Sequence, residues 1–398
     1  MQNRSTLKRA TGGILAILCT AFYFTLWAQT TAELDIDRTA SVSNRPFPIH
    51  IKGGLASEAL SILKFDLEVG GCDIVAEDAA TYLVHASNSE NITGRLTDQT
   101  GSVQYFNRSY KNGSTRAQAH ALAGDILKVL TGQDSIFNCK IAYCVNTSTD
   151  KNEIYISDFD GFNAKQVTQD GSLIRGLTWG TENKSLLYCS YMRNNPDIYL
   201  HNLAEGKRSV IANFTGLNTS PSISPDGKKV AMILSKDGTP DVYVSNLDGS
   251  GLVRITQTAA DEASPTWSPD GSKLCFSSRI SGSARLYTVP ASGGKMKRVS
   301  TTGVGSATEP DWSPDGKSIA FTTTTRSSFQ ICVVPASGGM VEILAEGESP
   351  SWAPNSRTLV FSRKSGKKST LVMLDVPTKK AKTIANVTGS ASQPCWTR

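Results

Sequence analysis

The side chains best able to ligate a metal or act as nucleophile and base are the histidines and cysteines, and their spacing argues against both uses. His50, His85, His120 and His201 stand far apart, and beyond Cys19 the cysteines Cys72, Cys139, Cys144, Cys189, Cys275, Cys332 and Cys395 form no C-x-x-C pair. A zinc site draws its ligands from short, paired spacings, so these cysteines read as buried thiols, His120 as a helix-face residue and His85 as a strand residue. No G-x-S-x-G, H-E-x-x-H or complete Walker loop occurs, and the GKKST at 366–370 lacks the upstream glycine. A recurring S-P-D-G puts Asp226, Asp270 and Asp315 in a setting that invites a calcium reading. It lacks the spaced oxygen ligands and closing glutamate of an EF-hand; Pro fixes φ and Gly supplies positive φ, so the motif is a turn in which Asp accepts. The chemistry-bearing residues thus yield no catalytic set, no metal and no cofactor.

What must position them is a repeat. GLTWGTEN, PSISPDG, PTWSPDG, PDWSPDG, PSWAPNS and a terminal PCW align Trp179, Ile223, Trp267, Trp312, Trp352 and Trp396 at intervals of 40 to 45 residues. A second column, Tyr155, Tyr199, Tyr243, Tyr287, Cys332 and Val372, repeats at the same interval. Short apolar stretches such as SLLYCS, VAMIL and KLCFSS lie between them, and D-G or G-G turns follow. Four strands per unit is the pattern of a propeller blade, which buries its faces only by stacking on neighbours. Six units predict an all-β six-bladed propeller over 136–398. The first unit opens on a second strand at 140–145 and the last supplies only a first strand at 393–397, so the C-terminal strand is expected to close the ring. That pairing would bring Cys395 near Cys139 or Cys144, with register deciding whether a bond is possible.

Residues 33–135 do not share the repeat. Helical spacing at 55–66, a stronger amphipathic helix at 115–131 and strand-like runs at 81–87, 91–97 and 101–110 predict a small α/β domain. The stretch before it, from 33 to 51, is polar and extended, with Pro46 and Pro48 discouraging helix. Residues 1–32 read as an export signal, with Arg4, Lys8 and Arg9 before an apolar run at 13–27 and small-residue cleavage sites at Ala28 and Ala32. The run is shorter than the roughly 20 residues of a membrane span. Of 41 basic and 35 acidic residues, those three basic ones leave with the signal, so 38 face 35. So even a balance gives no reason to expect a nucleic-acid partner.

The geometry of such a ring sends the residues that lead into each innermost strand to one mouth of the channel. Here these are Asn218, Thr219 and Ser220; Glu262, Ala263 and Ser264; Thr308 and Glu309; and Glu348 and Ser349.

The signal, small domain, six blades with P-x-W and S-P-D-G anchors among them and chain end just after the last P-x-W together resemble the TolB family, periplasmic propeller proteins of the Tol-Pal envelope system. The most telling stretch is DILKVLTGQDSIFNCKIAYCV followed by EIYISDFDGFNAKQVT. The resemblance implies a non-enzymatic, monomeric periplasmic adaptor that binds the peptidoglycan-associated lipoprotein Pal across the propeller mouth, supporting outer-membrane integrity and invagination during division. It also implies that the mature N-terminal arm, Glu33, Leu34, Asp35 and Ile36 after cleavage at Ala32, binds the C-terminal domain of TolA, with other outer-membrane proteins as further partners. The family's Pal contacts map to the blades of Ser220 and Ser264, whereas a Thr-Glu-Pro like the family's third-blade motif falls here one blade later, at 308–310. Two other readings stand beside this one: an exported propeller that binds a small sugar or peptide, and a lyase or peptidase using the acids Glu262, Glu309 and Glu348 in its channel.

Overall fold

A computed structural model describes residues 44–326 and 328–397. The export segment and the arm Glu33–Ile36 lie outside the described residues. The chain first builds a five-stranded sheet, β1 (Phe47–Lys52), β2 (Cys72–Ile74), β3 (Tyr82–Asn88), β4 (Ile92–Asp98) and β5 (Gln104–Tyr110), in the order β2-β1-β3-β4-β5. Two helices, α1 (Ser57–Val69) and α2 (Thr115–Thr131), supply its apolar layer. Leu63 and Leu67 of α1 and Leu122 and Ile126 of α2 pack with Ile49, Val84 and Leu96 of the sheet. α2 begins where the Ser114 side chain accepts from Ala117 N and stops at Gly132, left-handed at φ 71°.

One element differs from the sequence expectation. Phe47–Lys52 is an interior strand, parallel to both β2 and β3, rather than an extended lead-in. Pro48 forbids helix but not strand: its carbonyl accepts from Thr81 N while Ile49 is wholly buried.

The remainder is a ring of six four-stranded antiparallel sheets. Blades 1 to 5 carry the inner strands Ile174–Trp179, Asn218–Ile223, Glu262–Trp267, Thr308–Trp312 and Glu348–Trp352. Blade 6 is composite: the C-terminal strand Ala391–Trp396 joins β6 (Lys140–Ser148), β7 (Lys151–Asp158) and β8 (Lys165–Gln166). Its register sets Ala391 against Val145, Ser392 against Cys144, Cys395 against Ala142 and Trp396 against Ile141. The closing pair therefore opposes no two cysteines, and the expected approach of Cys395 to Cys139 or Cys144 gives no disulfide. Blades 3 and 4 are also tied by a short parallel pair, Thr301–Thr302 with Gly339–Met340, which the repeat did not foreshadow.

The anchor tryptophans are packing residues. All five are buried, and two also bond to the preceding blade: Trp179 Nε1 donates to Cys395 O at 3.1 Å and Trp267 Nε1 to Ser222 O at 2.9 Å. Each S-P-D-G closes as a turn in which Asp226, Asp270 or Asp315 accepts from the serine two residues earlier at 2.6 Å.

The small domain rests on the turn end of blades 5 and 6. Gly71 abuts Asp375 and Thr378, Glu68 pairs with Lys382, Asp73 with Lys380, and Arg116 with Asp160. Phe137 and Phe159 join the core of the small domain to that of blade 6. The opposite end of the ring, where the inner strands begin, is not covered by this domain.

Candidate functional site

Three residues before each anchor column, every inner strand carries a residue at positive φ: Gly176, Ser220, Ser264, Glu309, Ser349 and Gln393, between 51° and 62°. In each strand the pairing register slips across this point. Five of the six residues precede proline, which contributes no N–H to the ladder and so favours the bulge. The sixth is Gly176, and a Cβ there would stand 2.9 Å from Ser220 Cα and N of the next blade. The strand extensions thus converge at the axis, and the bulge turns one residue per blade into the channel.

The channel encloses about 690 Å³ and is lined from all six blades. Neighbouring bulges are linked through side chains. Glu309 accepts from Ser349 N at 2.9 Å, from Ser349 Oγ at 3.2 Å and from Thr322 Oγ1 at 2.8 Å. Gln393 Oε1 accepts from Gly176 N at 3.0 Å, and Asp311 accepts from Trp352 N at 2.7 Å. The charged residues lining the channel are Arg175, Glu182, Glu309, Asp311 and Glu348, so acid outweighs base. Burial, then the neighbouring Glu309, raises the Glu348 carboxyl above its usual range, against a pull from Lys364 and Arg175.

The residues expected at the mouth divide into two sets. Thr219, Ser220, Ser264, Glu309, Glu348 and Ser349 line the channel, from within the inner strands rather than ahead of them. Asn218, Glu262, Ala263 and Thr308 are not among the lining residues. Asn218 is fully buried and bonds Phe214 N at 3.0 Å and Phe214 O at 2.6 Å, bracing its own turn. Glu262 is buried inside blade 3, accepting from Ser278 Oγ at 2.8 Å and Thr258 Oγ1 at 2.9 Å. Burial, reinforced by Asp241, pushes its carboxyl up to about 7. Ala263 is exposed, and Thr308 Oγ1 donates to Thr322 O at 3.2 Å.

Arg175, Gly176 and Gln393 belong to the channel and were not foreseen. Blade 1 has Gly-Leu where the others have X-Pro, which hid it, although the count of three residues back from Trp179 and Trp396 marks both positions. Among the described residues no group of three or more His, Cys, Asp or Glu side chains is arranged to hold a metal ion. No described helix is long and apolar enough to cross a membrane.

A family model described as the TolB beta propeller domain matches residues 127–398. The chain belongs to the TolB beta-propeller family. A Tol-Pal system protein TolB of Alcanivorax borkumensis is 30% identical over 168 residues, 39% of this chain and 39% of that protein. The Tol-Pal system protein TolB of Francisella tularensis is 26% identical over 261 residues, 56% of this chain and 59% of that one. The matches therefore span about two fifths to three fifths of these TolB relatives. The crystal structure of TolB from Acinetobacter baumannii superposes with a TM-score of 0.78 at 24% identity, covering 89% of this chain and 97% of that one. At that identity the likeness establishes a shared fold, small domain included.

Proposed function

We propose that this TolB-like propeller is a periplasmic, non-enzymatic adaptor of the Tol-Pal system. A Pal-like lipoprotein sits on the mouth where the bulge ring opens, and the arm Glu33, Leu34, Asp35 and Ile36 engages a TolA-like C-terminal domain. The adaptor would then couple an inner-membrane protein to the outer membrane and support envelope integrity and invagination at division. The observation that carries the reading is the mouth itself. Six inner strands, by a shared distortion, aim Ser220, Ser264, Glu309, Ser349 and their counterparts into one axial channel, which runs from the strand starts at Arg175, Thr219 and Glu348 to the turns at Pro225, Pro269 and Pro314. A distortion repeated in every blade shapes a surface more economically than it shapes one catalytic geometry.

The test is a pull-down of the same organism's Pal soluble domain by mature protein, comparing wild type with Ser220→Arg plus Ser264→Arg. Glu309 is left intact because it braces the Ser349 backbone. Capture by wild type and loss in the variant is the expected result; no capture by either returns the channel to small-ligand chemistry. That second reading is favoured by the channel volume of about 690 Å³, within the usual range of small-molecule sites.

A further inference from the structure

Strand pairing fixes which loops share the open mouth. Each inner strand runs antiparallel to the second strand of its blade, so the hairpin between second and third strands returns beside the start of the inner strand. In blade 2, for example, Asn218 opposes Leu234 and the hairpin follows at once. All six of these hairpins therefore surround the mouth, and every one presents an exposed cation: Lys151, Arg193, Lys236, Arg279, Arg326 and Lys367. Blade 5 adds Lys364 and Lys368. The acids interspersed on the hairpins are Asp150 and Asp237, the latter paired with Lys236 at 2.9 Å. The loops that enter the inner strands add the exposed acids Asp261 and Glu346, and Asp261 O accepts from Arg279 N at 3.2 Å.

The rim thus carries a net excess of cations, while the channel it surrounds carries Glu309 and Glu348 beside Arg175. Two large apolar side chains stand on the same hairpins of adjacent blades, Ile280 at 52% and Phe329 at 47% exposure. Resting on the adaptor reading above, we propose that the partner at the mouth presents an acidic collar around a projecting segment that carries hydrogen-bond donors. The collar meets the rim, with Ile280 and Phe329 as an apolar patch on the side of blades 3 and 4, and the donors enter the channel toward Glu348 and Glu309. A convex protein surface satisfies both charge zones. A flat anionic lipid surface would meet the rim but leave the channel empty and set its own charge above the carboxylates.

Charges on an exposed rim act through encounter, so they set association rate and salt dependence. The experiment measures association and dissociation of the Pal soluble domain on full mature protein at low and high sodium chloride. Wild type is compared with Arg279→Glu plus Lys367→Glu, with Ile280→Ser plus Phe329→Ser, and in parallel with binding to vesicles containing anionic phospholipid. Circular dichroism checks that each variant folds. The expected result is an on-rate that falls about ten-fold with salt and about ten-fold on charge reversal. The apolar variant should instead dissociate faster. Binding that is equal at both salts and unchanged by charge reversal overturns the collar while leaving the adaptor reading standing. Absence of Pal binding by wild type overturns both, and rim-dependent binding to vesicles in place of Pal assigns the rim to lipid and overturns the proposal.

Discussion

Positive φ at serine, glutamate or glutamine costs on the order of 1 kcal/mol per residue, so a ring of such residues persists only because the converging strands impose it. Gly176 shows the constraint most directly, since its neighbour is backbone rather than a movable side chain. Gly176→Ala is expected to lower stability by about 2–3 kcal/mol in urea titration. Gly206→Ala, also at positive φ but with nothing within 4 Å of the new Cβ, should cost only about 1 kcal/mol. Equal losses would mean that backbone conformation, not crowding at the axis, sets the requirement. Ser220, Ser264, Glu309 and Ser349 were foreseen near the mouth, whereas Gly176 and Gln393, three residues before Trp179 and Trp396, were not. That these positions bulge, and that Asn218 and Glu262 turn inward, was not foreseen either, because side-chain direction at a bulge depends on pairing register.

At the scale of elements, the two helices were legible from spacing and caps, and Ser114→Ala is expected to cost about 1 kcal/mol in thermal or urea unfolding. What joins the helices was not legible. Asp66 of α1 is fully buried and bonds His120 Nδ1 of α2 at 2.6 Å, while its Oδ1 has no hydrogen-bond partner. Burial is the main cause that lifts its carboxyl from the usual 3.8 to about 6, with His120 opposing. The folded chain therefore holds this proton to higher pH than the unfolded chain. The contribution is complete below about pH 4 and is lost as pH rises through 6, on the order of 3 kcal/mol. Asp66→Asn removes that dependence, so its stability relative to wild type should climb between pH 4 and pH 7 in urea titrations. A constant difference across that range would show that Asp66 keeps the same charge in both states. Sequence spacing placed Asp66 and His120 on their helices; only the packing of α1 against α2 made them partners.

For the whole molecule, stability depends on two long-range unions. Closure pairs residues near 140 with residues near 395, so deleting 391–398 leaves the inner edge of β6 unpaired. The shortened protein should aggregate and melt well below the full chain in calorimetry; an unchanged melt would mean that blade stacking suffices without closure. The small domain is held by Arg116, whose side chain is 15% exposed, against Asp160 at 7%. The Arg116 guanidinium also lies 4.2 Å from the Phe162 ring centroid. Arg116→Ala strands a buried carboxylate and should cost about 3 kcal/mol. Limited proteolysis should then separate the domain from the propeller sooner than in wild type.

The amino-acid pattern alone determined the repeat, its number of units, the turns and the family likeness, because each is encoded within some 45 residues by periodicity and by proline and glycine chemistry. Tertiary structure alone decided which mouth stays open, which side chains line the channel and which cysteines stand apart, since these follow from register and from where the small domain docks. It also gathered single cations, each unremarkable in its own hairpin, into one rim. Distances between blades have no local signal, and charge becomes a surface property only when the ring closes.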